Sequence, residues 1–241
     1  MLLLFAGGLT TYLPQASLAA IVIVAGTALF DLATMRWLWR VRRSEFVLCL
    51  TALLGVALVG VLQGIVIAIV LSLAAFLQRV WRPYDATLGR VPGRHGYHDV
   101  ARHPEAQQVP GMIIFRFDAP VFFANAEHFS RCVKKHIAAR GEPVRHVVIA
   151  GEPITDIDTT GAESLRDLID DLAENDVSFA FAEIKGPVKD RLRSYGAYRD
   201  SGRENFFSTI GHAVTEYLQE AGGDPLEWVD DYDGSETPPK G

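Results

Sequence analysis

Residues 46–78, FVLCLTALLGVALVGVLQGIVIAIVLSLAAFLQ, contain no Asp, Glu, Lys, Arg or His. A run of this length and polarity is typical of membrane-spanning helices. As one helix it would extend about 50 Å, whereas the hydrocarbon core of a bilayer is about 30 Å thick. We therefore predict a hairpin in which residues 44–59 cross in one direction and residues 65–80 return, with the break at Gly60, Gln63 and Gly64.

Arginines flank both ends of this predicted hairpin, with Arg42 and Arg43 before it and Arg79 and Arg82 after it. Clustered basic residues mark the cytoplasmic side of a membrane. Both ends of the hairpin, and everything after Pro83, are therefore predicted to be cytoplasmic. Spans of about 16 residues are shorter than the usual 20 or so, so we expect them to pack among other helices.

The residues before the hairpin extend the membrane segment. Residues 15–30 are apolar on all sides and predict a third span, and residues 31–43 combine Trp with Arg, as interfacial amphipathic helices do. The chain opens within an apolar stretch that is too short for a signal peptide. From this we expect residues 1–83 to be the end of a longer membrane domain that is truncated at its N-terminus.

After Pro83 the pattern changes to apolar strands that alternate with amphipathic helices. This order predicts an α/β domain over residues 84–222, with a mainly parallel sheet flanked by helices. The predicted strands are 88–91, 97–100, 112–117, 121–123, 145–150, 177–183 and 205–207. The predicted helices are 126–140 with Asn125 as its N-cap, 160–175, 187–195 and 209–220. Residues 223–241 are acidic and are predicted to be a disordered tail.

Charge and cysteine content exclude several classes of function. The chain carries 23 basic and 29 acidic residues, and the basic excess is confined to residues 1–83. Because no basic patch dominates the domain after Pro83, nucleic acid is not an expected partner. Cys49 and Cys132 provide neither a disulfide framework nor a metal-binding spacing, which suits a reducing compartment.

Candidate metal ligands occur in two places, and neither pattern is specific. His95, His98 and His103 share one loop but have no cysteine or acidic pair beside them, so we interpret them as solvated loop residues. The loop carboxylates of Asp156, Asp158 and Glu163 have no other ligand types around them. Phosphate-binding loops, nucleophile elbows and paired catalytic acids are absent from the sequence, so we predict no enzyme activity, no metal and no cofactor.

Six segments together resemble the sulfate permease (SulP) family of anion transporters. The membrane segments are 13–23 (LPQASLAAIVI), 43–46 (RSEF) and 60–65 (GVLQGI). The remaining segments, 88–93 (LGRVPG), 111–125 (GMIIFRFDAPVFFAN) and 156–165 (DIDTTGAESL), are similar to the C-terminal STAS domain of that family. The segments occur in the family's order and cover about residues 1–220.

The resemblance implies secondary active transport of inorganic anions of the sulfate or bicarbonate class, with a coupling ion, by a homodimer in the inner or plasma membrane. Residues 1–83 would be gate-type helices in the lipid bilayer, and the STAS domain would be cytoplasmic. In the family the anion lies between half-helices of a core domain. Those helices are not in this chain, so no substrate-binding residue is assigned to it.

The resemblance also singles out Asp158, Thr160 and Gly161. Soluble STAS proteins that regulate sigma factors carry a similar motif, in which the hydroxyl at the position of Thr160 is phosphorylated, and phosphate is favourable at a helix N-terminus. In the competing interpretation Asp158 caps the helix, Thr160 bonds locally and Gly161 allows close packing. As an alternative overall function, the chain is a membrane-tethered STAS regulator or partner-switch module without transport activity.

Overall fold

The computed structural model describes residues 15–28, 31–197, 205–223 and 228. The chain divides into two compact units, Met1–Phe76 and Leu77–Gly241. The first unit contains α1 (Gln15–Ala28), α2 (Leu32–Val41) and α3 (Arg43–Leu58). Most of α4 (Val61–Trp81) also belongs to it, and the last residues of α4 belong to the second unit. By length and composition, Val61–Trp81 and the stretch Ser17–Val41 are each sufficient to cross a membrane.

The break between α3 and α4 lies at Gly60, whose φ of +127° is accessible only to glycine at low cost. The predicted start of the returning helix at residue 65 was wrong, because α4 begins at Val61 and has 21 residues. Gly60 alone breaks the helix, and Gln63 and Gly64 lie inside α4. At 21 residues, α4 has the length of an ordinary span.

Gly64 instead allows α3 and α4 to approach each other closely. It is buried, and a Cβ atom placed on it would lie 2.4 Å from the backbone nitrogen of Val56. A Cβ on Gly55, the facing glycine of α3, would make an ordinary contact of 3.4 Å with the Cα of Gly64. Small residues allow this kind of backbone contact between membrane helices, where tight packing holds the helices together.

The second unit contains a six-stranded sheet with the strand order β2-β1-β3-β4-β5-β6. The strands are β1 (Asp85–Arg90), β2 (Tyr97–Asp99), β3 (Met112–Phe117), β4 (His146–Ala150), β5 (Ser178–Ala182) and β6 (Phe206–Phe207). β1 is antiparallel to both β2 and β3, whereas β3 to β6 run parallel. The structure therefore confirms the predicted α/β class with a mainly parallel sheet.

Helices cover both faces of the sheet. Those that follow α4 are α5 (Ala126–Ala139), α6 (Thr159–Glu174), α7 (Gly186–Ser194) and α8 (Ile210–Ala221). Apolar residues of α5, α6 and α7 pack on one face in a core that includes Phe115, Phe117 and Phe181. The apolar side of α8 packs on the other face against Val148 and Ala180. Each face of β3, β4 and β5 is thus buried, as their continuous apolar sequences require.

Two predictions about this unit need correction. The strand predicted at residues 121–123 was wrong, because only Val121 forms a bridge, to Ile157, before the chain turns into α5. Within the predicted disordered tail, Trp228 is buried in the α8-side core and its carbonyl accepts a hydrogen bond of 3.0 Å from the Tyr97 hydroxyl. The other tail residues, except Gly223, lie outside the described part of the chain.

Candidate functional site

The end of the loop before α6 and the first turn of α6 contain the candidate regulatory residues, and Asp158 connects them to a second loop. One carboxylate oxygen of Asp158 accepts a hydrogen bond of 2.6 Å from the Gly161 N–H, so Asp158 is the N-cap of α6. Its other oxygen accepts a hydrogen bond of 2.9 Å from the N–H of Phe123, in the loop before α5. One side chain therefore satisfies two backbone donors and joins two loops that are distant in the sequence.

Backbone contacts hold the same two loops together. The Val121 N–H donates to the Asp156 carbonyl at 3.0 Å, and the Asp158 N–H donates to the Val121 carbonyl at 3.2 Å. Gly161 permits this approach, since a Cβ on it would lie 2.6 Å from the Val121 carbonyl oxygen. The capping and packing roles expected for Asp158 and Gly161 are thus both present in the geometry.

Thr160 is exposed at the second position of α6. The first turn of a helix presents unpaired N–H groups and the positive end of the helix dipole, both of which favour an added phosphate. The neighbouring carboxylate of Asp156 is already in an ion pair with Arg191. The Thr160 hydroxyl is therefore exposed at a helix N-terminus, next to a loop whose Asp156 is paired with Arg191 of α7.

Two of the acidic candidate ligands already have other partners. Both oxygens of Asp158 accept hydrogen bonds from backbone N–H groups, and Asp156 pairs with Arg191. Two of the three acidic candidates are therefore engaged elsewhere, and Glu163 is exposed on α6. The loop can cap a helix and accept a modification, but it offers no convergent set of ligands.

Asn125 has a different role from the predicted one. It occupies the N-cap position of α5, but its side chain makes no capping hydrogen bond. Instead, its Oδ1 accepts from the Phe122 N–H at 2.9 Å, and its Nδ2 donates to the carbonyls of Pro120 and Val80 at 2.9 and 3.4 Å. This fully buried amide therefore ties the turn before α5 to the end of α4.

The three loop histidines do not converge on one point. His98 Nε2 contacts the His95 carbonyl at 3.0 Å, and His103 Nδ1 contacts Glu105 at 3.1 Å. The rings of His98 and His103 meet edge to face with centroids 5.4 Å apart. The rings of His98 and His103 thus have local partners, and His98 lies in β2 and not in the predicted loop.

Asp99, the last residue of β2, is a buried carboxylate. Burial by itself would raise its pKa, but hydrogen bonds from the Tyr84 hydroxyl and the Ala101 N–H, together with the charges of Arg102 and Arg116, hold the pKa below the usual value. The ionised form is therefore stabilised, and Asp99 fixes the start of the domain to the loop after β2.

A second polar cluster was missed by sequence reasoning. Asp85 of β1 and His128 and Cys132 of α5 place one ligand atom each within 4.8 Å of one another. Burial raises the pKa of the Cys132 thiol, and the nearby Asp85 carboxylate raises it further. The signal was the spacing of four residues between His128, Cys132 and His136, which puts all three on one side of a helix.

Comparison with known proteins identifies both units. The model of the STAS domain matches residues 103–213, and the model of the sulfate permease family matches residues 1–52. A probable sulfate transporter of Mycobacterium tuberculosis is 36% identical over 217 residues, which are 90% of this chain and 39% of that protein. Sulfate transporter 1.1 of Arabidopsis thaliana is 35% identical over 84% of this chain and 32% of its own length.

A solved structure has the same fold. The murine Solute Carrier 26 family member A9 anion transporter, in its inward-facing state, superposes with a TM-score of 0.74 at 21% identity, over 86% of this chain and 34% of that protein. The chain spans well under half the length of each of these relatives. The two family models match the helical unit and the α/β unit in this order, and the chain is therefore similar to sulfate permease (SulP) family proteins in both units, with a sulfate permease segment followed by a STAS domain.

Proposed function

We propose that this chain supplies the last, gate-type membrane helices and the regulatory STAS domain of a secondary active transporter of inorganic anions of the sulfate or bicarbonate class. The observation that carries the proposal is the 36% identity to a probable sulfate transporter that runs through both units, over 90% of the chain. The match to the sulfate permease family in residues 1–52 disfavours the alternative of a tethered regulator without transport.

The residues of the hairpin support a gate role and argue against an anion site within it. Residues 46–78 contain no Asp, Glu, Lys, Arg or His, and α3 and α4 are closely packed at Gly55 and Gly64. Anion sites in transporters use charged groups or the ends of broken helices. We place the anion and its coupling ion in core helices of the native transporter and assign packing and gating to α3 and α4.

We further propose that residues 1–83 lie in the membrane, that residues 84–222 face the cytoplasm, and that the native transporter is a homodimer. Support for the orientation comes from the arginines Arg42, Arg43, Arg79 and Arg82 at the ends of the hairpin. A tag placed after residue 241 tests the orientation: in intact cells it stays hidden from an antibody if the proposal is right and becomes stained if it is wrong.

Thr160 is proposed as a regulatory phosphorylation site, with Asp158 and Gly161 shaping its loop. Support comes from the exposure of Thr160 at the N-terminus of α6. Mass spectrometry of protein from cells grown with scarce and abundant anion tests this role. Phosphate on Thr160 in one condition supports the proposed regulatory role. Unmodified Thr160 in both conditions would contradict it and would leave helix capping as the role of the motif.

Transport is tested by expressing the native gene product in a host that lacks sulfate uptake. We expect saturable uptake of labelled sulfate, and reduced uptake in the presence of bicarbonate if bicarbonate is also a substrate. A dependence of the uptake on an imposed proton or sodium gradient identifies the coupling ion. Uptake equal to that of the empty host for both anions would contradict the proposed function. Expression measured in the same membranes serves as the control.

A further inference from the structure

The strand that follows the membrane helix α4 has a polar side that faces α5. Side chains alternate along a strand, and in β1 Ala86 and Leu88 belong to the core on the α8 side of the sheet. Asp85 therefore points to the opposite side, where its strand partner Phe117 packs against α5. A carboxylate at this place needs polar partners from α5.

α5 provides these partners from a single stripe. His128, Cys132 and His136 follow one another at intervals of four residues, so they line one side of the helix. The ligand atoms of Asp85, His128 and Cys132 lie within 4.8 Å of one another. His136 joins the cluster through Asp85, since its Nε2 lies 2.7 Å from Asp85 Oδ2, and its Nδ1 lies 2.8 Å from Thr87 Oγ1.

The distance between the sulfur and nitrogen ligands matches the coordination geometry of zinc. Zinc binds thiolate sulfur at about 2.3 Å and imidazole nitrogen at about 2.0–2.1 Å. In tetrahedral coordination these two ligand atoms are therefore about 3.6 Å apart. His128 Nε2 and Cys132 Sγ are 3.5 Å apart. The histidine that holds the carboxylate also corresponds to a common arrangement, in which a residue outside the coordination sphere orients a metal ligand.

We propose that Asp85, His128 and Cys132 form a binding site for a divalent transition metal, with Zn²⁺ as the best fit, and that His136 positions Asp85. A set of one sulfur, one nitrogen and one oxygen ligand suits zinc, and the fourth position is left for water or an external ligand. Asp85 and His136 are 24% and 22% exposed, which gives an ion access from solvent. The bound ion would clamp β1, directly after α4, to α5.

A hydrogen bond between the Cys132 thiol and His128 is the competing explanation for their distance of 3.5 Å. Binding of Co²⁺ distinguishes a metal site from this hydrogen bond. We would titrate Co²⁺ into the purified full chain in detergent, with Cys49→Ser so that Cys132 is the remaining thiol. A metal site predicts one equivalent of bound Co²⁺ with thiolate-to-metal charge-transfer absorption in the near ultraviolet, which is lost when Zn²⁺ displaces it. Absence of that absorption would overturn the proposal.

Variants then identify the ligands. Cys132→Ser is expected to abolish the charge-transfer absorption, and His128→Gln to weaken Zn²⁺ binding at least about tenfold. His136→Ala is expected to keep the absorption and weaken binding about ten- to a hundredfold, as loss of a positioning residue does. His103→Gln, which removes a loop histidine that contacts Glu105, is the matched control and should bind like the parent chain.

Cys132 is buried in the core, so its replacement risks unfolding the domain. His128 is only partly buried, and its variant keeps the test valid. Circular dichroism of every variant establishes folding before titration. Equal zinc affinity in the parent chain, Cys132→Ser and His128→Gln would refute this ligand set. The result is independent of the transport proposal, because binding is measured without any anion.

Discussion

Replacement of Asp158 by Ala should destabilise the STAS domain by about 2 kcal/mol. Loss of a helix N-cap costs about 1 kcal/mol, and the Gly161 N–H would lose its bond of 2.6 Å. The Phe123 N–H would lose a charged acceptor at 2.9 Å. Such a bond contributes about 1.5–3 kcal/mol when buried, but the Phe123 N–H is exposed and water can replace the carboxylate, so we count about 1 kcal/mol.

Asp158→Asn separates the two contributions. The amide has a single acceptor oxygen, so it can keep the cap on α6 while its NH₂ group faces the second backbone N–H. We therefore expect about half the loss seen for Asp158→Ala. Thr160→Ala, one residue from the cap donor, is the matched control: its side chain is exposed, so a change within about 0.5 kcal/mol is expected.

Thermal unfolding of the full chain in detergent, followed by circular dichroism, measures these differences. For a domain of this size, 1 kcal/mol corresponds to roughly 4 °C in Tm. Asp158→Ala is expected to unfold about 8 °C below the parent chain and Asp158→Asn about 4 °C below it. Identical Tm values for Asp158→Ala and Thr160→Ala would refute the assignment of both backbone donors to Asp158.

Three further predictions concern the STAS domain. Gly161→Ala should lower the free energy of unfolding by about 1–3 kcal/mol, because its Cβ would lie 2.6 Å from the Val121 carbonyl oxygen. Gly211→Ala is the control: its Cβ would come no closer than 3.9 Å to Thr209, so it should be neutral or slightly stabilising, and equal effects of the two variants in denaturant titrations would refute the packing argument. The folded-state pKa of Asp99 is lowered, so its ionised form contributes stability that is present above pH about 4 and is lost as the pH falls through the folded-state pKa. Asp99→Asn should therefore reduce the loss of unfolding free energy on acidification, and an unchanged dependence of that free energy on pH would contradict this. Trp228→Ala should cost about 2 kcal/mol by exposing the α8-side core, and an unchanged unfolding midpoint in circular dichroism would mean that Trp228 does not pack there in solution.

The regular elements of the STAS domain were predictable because their signals are local. β3, predicted at residues 112–117, has those limits in the structure, since five of its six residues are apolar and turn residues flank them. Helices α5, α6 and α8 each begin and end within one residue of their predicted limits. Periodic apolar positions and capping residues determine such limits.

The exceptions depend on contacts between residues that are distant in the sequence. Val121 looks like part of a strand, but its one bridge partner, Ile157, lies in another loop. Asn125 looks like a cap, yet its amide binds Pro120 and Val80. Local patterns do not contain these partners, and the sequence does not reveal which of several competing hydrogen bonds a buried amide will make.

The candidate sites divide in the same way. The roles of Asp158 and Gly161 follow from a local motif, strand-loop-helix, which the sequence displays. The approach of Asp85 to His128 and Cys132 joins residues more than forty positions apart and depends on how β1 pairs with β3 and how α5 packs on the sheet. Only the α5 half of this cluster, with its spacing of four, is visible in the sequence.

Uptake of labelled sulfate into proteoliposomes that contain the purified native protein tests the central claim most directly, when Gly64→Ala is compared with Gly55→Ala. The added Cβ would lie 2.4 Å from the Val56 nitrogen in the first variant and at an ordinary 3.4 Å from Gly64 Cα in the second. We predict saturable uptake by the parent protein and by Gly55→Ala. In Gly64→Ala we predict at least about tenfold lower uptake, because an overpacking cost above about 1.4 kcal/mol lowers the population of the correctly packed hairpin about tenfold. Parent protein that moves no sulfate or bicarbonate above protein-free liposomes, or equal uptake by the two variants, would contradict an anion transporter gated by this hairpin.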